Sequence, residues 1–97
     1  MGFAVRHLPA PDHGRQRFQL TVPTDLSLVG EAVEAVVDCC RGQGALSSRL
    51  RFRLRTVTAE ALANAMSYGN GNDATRRVTV DIELDDERIV LAVSDEG

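Results

Sequence analysis

The chain has 97 residues, 43% of them hydrophobic and 26% charged, with a net charge of −3. That length holds one small domain with a modest core, and the composition excludes an intrinsically disordered chain. The acidic balance speaks against direct nucleic-acid binding, which needs a basic surface.

Residues 1–16 mix Pro9, Pro11, Gly14 and charges without periodicity and read as a flexible leader with room for a short edge strand. Met1-Gly2 opens like a myristoylation signal, but Arg6 stands where Ser or Thr is needed. No signal-peptide core and no apolar stretch of spanning length is present. The expectation is a cytoplasmic protein with no membrane contact. Phe18, Leu20 and Val22 then alternate with Gln19 and Thr21, the spacing of a strand over residues 17–22 that Pro23 ends.

A helix is predicted over residues 24–41, with Thr24, Asp25 and Ser27 as candidate N-caps. Val29, Val33, Val36 and Cys40 recur on one face, Ala32 and Val37 widen it, and Gly42 and Gly44 stop it. Cys39 and Cys40 are adjacent, a placement that rarely bridges, and read as two small buried or half-buried thiols. Neither they nor His7 and His13 have metal-ligand spacing.

Residues 49–55 alternate Arg49, Arg51, Arg53 and Arg55 with Leu50, Phe52 and Leu54, which alone suggests a strand. Leu50, Leu54, Val57, Ala61 and Ala65 also share one helical face, and the Ala-rich sequence that follows favours helix. One helix is predicted over residues 48–67, capped by Ser47 or Ser48. The four arginines form either a solvated face or a dock for an acidic partner. All eleven basic residues are arginine, which removes lysine chemistry such as a P-loop or a Schiff base.

Gly69 to Asp73 form a loop. Val78, Val80, Ile82 and Leu84 alternate as a half-buried strand, and Asp85-Asp86-Glu87 turns the chain. Ile89 to Val93 are continuously apolar, the pattern of a central strand buried on both faces. The expected fold is α+β, a two-layer α/β sandwich with both helices on one face of a sheet made by residues 17–22, 78–84 and 88–94.

Two places can carry chemistry. Glu60 and Asn64 are four apart on the second helix and project from one side, at the border of core and solvent. Their small neighbours Ala59, Ala61, Ala63 and Ala65 let something bulky approach. The plain alternative is a solvated Glu and an Asn that bonds a loop. Asp95-Glu96-Gly97 follows the last strand. A carboxylate there can accept hydrogen bonds from a ligand's amino group, and the glycine lets backbone come close. The plain alternative is a turn.

Taken together, these residues resemble a known family. Glu60-Ala61-Leu62-Ala63-Asn64-Ala65, followed by Tyr68-Gly69-Asn70, resembles the N-box of GHKL (Bergerat-fold) ATPases. The branch that looks nearest is the anti-sigma-factor serine/threonine kinases. Asp95-Glu96-Gly97 resembles the start of the next box, Asp-X-Gly-X-Gly. The resemblance covers residues 17–97, as the N-terminal portion of such a domain. It implies that Asn64 holds Mg2+, that Glu60 acts as general base or polarises the attacking group, and that Asp95 binds the adenine amino group of ATP. Gly97 would let the purine lie against the backbone. It also implies a serine on an antagonist protein as phosphoryl acceptor and a sigma factor as partner.

The chain departs from that pattern in three ways. Tyr68 stands where the branch usually has His, the second glycine of the Asp-X-Gly-X-Gly box is not among the 97 residues, and neither are the lid and the later glycine-rich box. The expectation is a fold incomplete at the C-terminus and incompetent for phosphoryl transfer, which depends on positioning and charge stabilisation. An open apolar sheet edge predicts a homodimer. Two alternatives stand beside the kinase: a non-catalytic interaction module of the same fold, and the ATPase part of a sensor histidine kinase. The second lacks an upstream helix bearing a phospho-acceptor His, since His7 and His13 lie in the leader.

Overall fold

Alternation of apolar and polar residues builds the sheet. The computed structural model describes residues 3–10, 14–41 and 47–97. Four strands, β1 (Ala4–Leu8), β2 (Gln16–Pro23), β3 (Arg77–Leu84) and β4 (Ile89–Ser94), form one antiparallel sheet in the order β1-β2-β3-β4. Leu20 pairs with Val80, and Ile82 with Leu91. Leu20, Val22, Val78, Val80, Ile82 and Leu84 are buried on one face. Among the polar residues of β2 and β3, the Gln19 Nε2 donates to Asp81 Oδ1 at 3.1 Å, so the second face is solvated.

Both helices cover the apolar face. The first begins at Val29 rather than at residue 24, because Asp25 caps a separate 3-10 turn before it: its Oδ1 accepts from the Ser27 N–H at 3.0 Å and from the Ser27 hydroxyl at 2.7 Å. Those bonds hold its carboxyl below the ordinary range. A short 3-10 turn (Leu26–Leu28) leads into α1 (Val29–Cys40), which buries Ala32, Val33, Val36, Val37 and Cys40. The expected face is the one observed. The two cysteines are free, Cys39 half-buried and Cys40 buried, as expected. Helix α2 (Ser48–Asn64) begins at Ser47, whose Oγ accepts from the Leu50 N–H at 3.1 Å. Arg55 of α2 grips Glu34 of α1 with two hydrogen bonds of 2.8 and 2.9 Å. Gly42 and Gly44, expected to stop α1, lie outside the described residues, as do Met1, Gly2, Pro11 and His13.

Ala4–Leu8 are the short edge strand for which the leader had room, paired with β2, and His7 stacks on Phe18 with ring centroids 4.6 Å apart. The two-layer α+β architecture is the one expected, and three further details of it differ. The second helix does not run evenly to residue 67; it gives way after Asn64 to a π-helical turn, Ala65–Gly69. Its buried stripe is also rotated. Leu54, Thr58, Leu62, Ala65 and Met66 are buried, whereas Leu50 and Val57 are exposed. Thr58 fills a core position that a reading by hydrophobicity skips. Finally, β4 is an edge strand rather than a central one, because it pairs with β3 alone among the described residues. Its Ile89, Leu91 and Val93 face the helices half-buried, while Val90, Ala92 and Ser94 are exposed. Among the described residues no helix is long and apolar enough to cross a membrane.

The Thr58 hydroxyl is buried with no hydrogen-bond partner among the described residues. A buried hydroxyl without a partner costs about 1–3 kcal/mol. Thr58→Val should therefore raise the urea midpoint, by about 1 kcal/mol of stability. A lowered midpoint would show that the hydroxyl has a partner in solution.

Candidate functional site

Helix α2 and strand β4 run side by side with an open groove between them. Leu50, Arg53, Leu54 and Val57 of α2 and Ile89 and Leu91 of β4 line it, around a cavity of about 290 Å³. At about 100° per residue, Asn64 lies about 20° from both Val57 and Arg53 around the helix, and Glu60 about 20° beyond Arg53. Both side chains therefore belong to the groove side of α2. On β4, Ile89, Leu91 and Val93 share the helix-facing side, and strand alternation continues that side to Asp95.

The two elements keep pace. Leu50 and Ile89 both line the groove near the starts of α2 and β4. Fourteen helical residues later the chain has advanced about 21 Å, and six strand residues later about 20 Å. At that far end the Asp95 carboxylate lies directly over Gly69, where a Cβ would overlap it. A Cβ on Gly97 would overlap the Gly69 carbonyl. Both glycines are therefore required for the contact. The structure thus brings Asp95 and Gly97 against the end of α2. Glu60 and Asn64 stand earlier on the same groove side, exposed and with no hydrogen bond or ion pair among the described residues.

What holds this end together is Asn70. The π-helical turn closes with the Asn70 N–H donating to the Ala65 carbonyl at 2.7 Å. Gly71 and Asn72 then turn the chain with φ of 58° and 59°. The Asn70 side chain is buried. Its Nδ2 donates to Thr24 Oγ1 at 2.9 Å and to the Arg77 carbonyl at 3.0 Å, and its Oδ1 accepts from the Glu96 N–H at 2.8 Å. Thr24 in turn donates its hydroxyl to the Arg76 carbonyl at 2.8 Å. One amide therefore ties the ends of β2, β3 and β4 to the end of α2. Sequence reasoning placed Asn70 in a motif and gave it no role. Two of its three partners, Thr24 and Glu96, lie 46 and 26 residues off in the chain; the available signal was an Asn immediately after Tyr68-Gly69 at the end of the Glu60–Asn64 helix.

The donor set suits a nucleotide with a hard cation. Glu60 and Asn64 offer side-chain oxygens, and Mg2+ is held by one or two such ligands with water and phosphate completing the shell. Asp95 offers only acceptors to an amino group. Gly69 and Gly97 carry no side chains of their own there, and the Asp95 carboxylate and the Arg76 guanidinium border the place. Neither cysteine offers a nucleophile: burial raises both thiols, that of Cys40 to about 11.

The family model described as histidine kinase-like ATPase domain matches residues 22–97. That span begins at the end of β2 and takes in α1, α2, Asn70 and the segment carrying Asp95. Among curated proteins and solved structures, none matches the chain.

Asn70→Ala should lower stability by about 3 kcal/mol, on the order of 1 for each buried hydrogen bond lost. Urea denaturation measures it. A loss below about 0.5 kcal/mol, the range of neutral surface changes, would show that the buried amide does not hold the site.

Proposed function

Since the chain belongs to the histidine kinase-like ATPase domain family, we propose that it carries the base and metal contacts of the ATP site of an anti-sigma-factor-type serine/threonine kinase acting in the cytoplasm. The observation that supports this reading most is the seating of Asp95 and Gly97 on Gly69, at the groove end of α2. Asp95 accepts a hydrogen bond from the adenine amino group, and the purine lies against the backbone at Gly97. Asn64 and Glu60 hold the metal side of the groove, with Asn64 as oxygen ligand. Mg2+ held there would offset charge in the transferring phosphoryl group. Glu60 accepts the proton of the attacking serine hydroxyl. The serine belongs to an antagonist protein.

A sigma factor and that antagonist are the proposed partners. The exposed side of α2 supports a protein contact: Phe52 is 71% exposed and sits beside Arg49 and Arg53. An aromatic flanked by arginines is the composition of interface hot spots. The same surface would serve a non-catalytic interaction module, and nucleotide binding separates the two readings. The open edges of β1 and β4 support a homodimer.

Calorimetry with an ATP analogue tests the site. With Asn64 as metal ligand, binding should be Mg2+-dependent. Asn64→Ala, which removes the metal ligand, and Asp95→Asn, which adds a donor to an accepting face, should each lower affinity about tenfold. Tight binding indifferent to both substitutions would place the site elsewhere. No binding even with a longer parent chain would favour the interaction module. In such a parent, Glu60→Ala should abolish phosphoryl transfer to the antagonist serine. Sedimentation should show self-association of the chain; a clean monomer at high concentration would overturn the homodimer.

A further inference from the structure

Strands β3 and β4 do not simply end; they are wedged apart. Their ladder pairs Thr79 with Ser94 and Leu84 with Ile89. Continued by two residues, that register would place Arg77 opposite Glu96. The backbone groups of this pair do not meet. The Glu96 N–H donates instead to Asn70 Oδ1 at 2.8 Å, and the Arg77 carbonyl accepts from Asn70 Nδ2 at 3.0 Å. The Asn70 amide thus stands between the two would-be ladder partners and satisfies both. The Arg77 N–H donates to the Glu96 side chain at Oε1, 2.6 Å away. Asp95 is braced from the other side as well, since its Oδ1 accepts the Gly97 N–H at 3.1 Å.

This wedge decides where Asp95 goes. Alternation gives the Asp95 side chain its helix-facing side, and the wedge sets how far residues 95–97 stand from β3. Parted from β3, residues 95–97 lean onto the π-helical turn, where Asp95 covers Gly69 and Gly97 meets the Gly69 carbonyl. Glu96 holds the parted strand at its new distance through a bond from its own side chain to β3. A carboxylate selects a 6-amino purine over a 6-oxo purine only if its position is fixed. A carboxylate free to swing accepts the amino group weakly and avoids the oxo group easily.

Resting on the nucleotide reading above, we propose that Asn70 and Glu96 are positioning residues for purine selectivity: the inserted Asn70 amide and the Glu96 clip on Arg77 set Asp95 in place to distinguish a 6-amino from a 6-oxo purine. Neither residue touches the base. Their effect on selectivity passes through Asp95, and their effect on phosphate and metal contacts is small, because those lie on α2.

The test compares ATP with inosine triphosphate, which has the same sugar and phosphates and an oxo group at position 6. Binding of each to the 97-residue chain is measured with Mg2+ by calorimetric competition. Glu96 is exposed, so its variants leave the core intact. In Glu96→Ala the preference for ATP should fall about tenfold, the size of one lost hydrogen-bond discrimination, while affinity for inosine triphosphate changes less than about twofold. Glu96→Gln keeps an oxygen acceptor for the Arg77 N–H and should keep the preference. An undiminished ATP preference in Glu96→Ala, or an equal loss for both nucleotides, would overturn the positioning role and leave the adenine site standing. Equal binding of the two nucleotides by the unsubstituted chain would instead overturn the assignment of Asp95 to the base, and the positioning role with it.

Discussion

A primary amide cannot be buried cheaply. It carries two donors and an acceptor, and leaving them without partners costs several kcal/mol. Asn70 is buried with all of its bonds directed at other elements: Thr24 beyond β2, Arg77 at the start of β3 and Glu96 beyond β4. The geometry of one planar group therefore dictates how three strand ends meet the end of a helix. The π-helical turn before it matters for the same reason. The extra residue in the turn allows the Asn70 N–H to reach the Ala65 carbonyl, and turns of this kind recur at functional sites.

From that junction the groove follows. With the ends of α2 and β4 held together at Gly69 and Asp95, the two elements run in the same direction with matched rise. One end of the groove is apolar, between Leu50, Val57, Ile89 and Leu91, and the other carries Glu60, Asn64 and Asp95. In the proposed reading, the polar end takes a ligand with a flat, amino-bearing ring and an anionic, cation-bound tail. The family to which the chain belongs binds ATP with Mg2+, and the chemistry of the residues agrees with it.

Much of this arrangement was legible in the sequence, and the unread parts have physical causes. Period 2 in β3 and period 3.6 in α1 identify their buried faces because one side of each meets solvent. The Arg-alternating stretch of residues 49–55 is helical, since the alanines after it favour helix more than alternation favours strand. The stripe of α2 was misplaced because Thr58, a polar residue by composition, packs as a buried one. Strand β1 has no alternation to read; its order comes from pairing with β2. The run Ile89 to Val93 looks central because a continuous apolar run cannot report how many neighbours a strand has. Glu60, Asn64, Asp95 and Gly97 could be singled out from local motif and family resemblance. The role of Asn70 could not, because it lies in contacts between residues 46 and 26 positions apart.

The central claim is that the ends of α2 and β4 form one nucleotide site held by Asn70. Amide-resolved NMR of the nitrogen-labelled 97-residue chain, titrated with Mg2+ and an ATP analogue, tests it most directly. The account predicts the largest shifts at Glu60, Asn64, Gly69, Asn70 and residues 95–97, moving together along one binding curve. Shifts confined to other surfaces, with these amides unmoved, would contradict it.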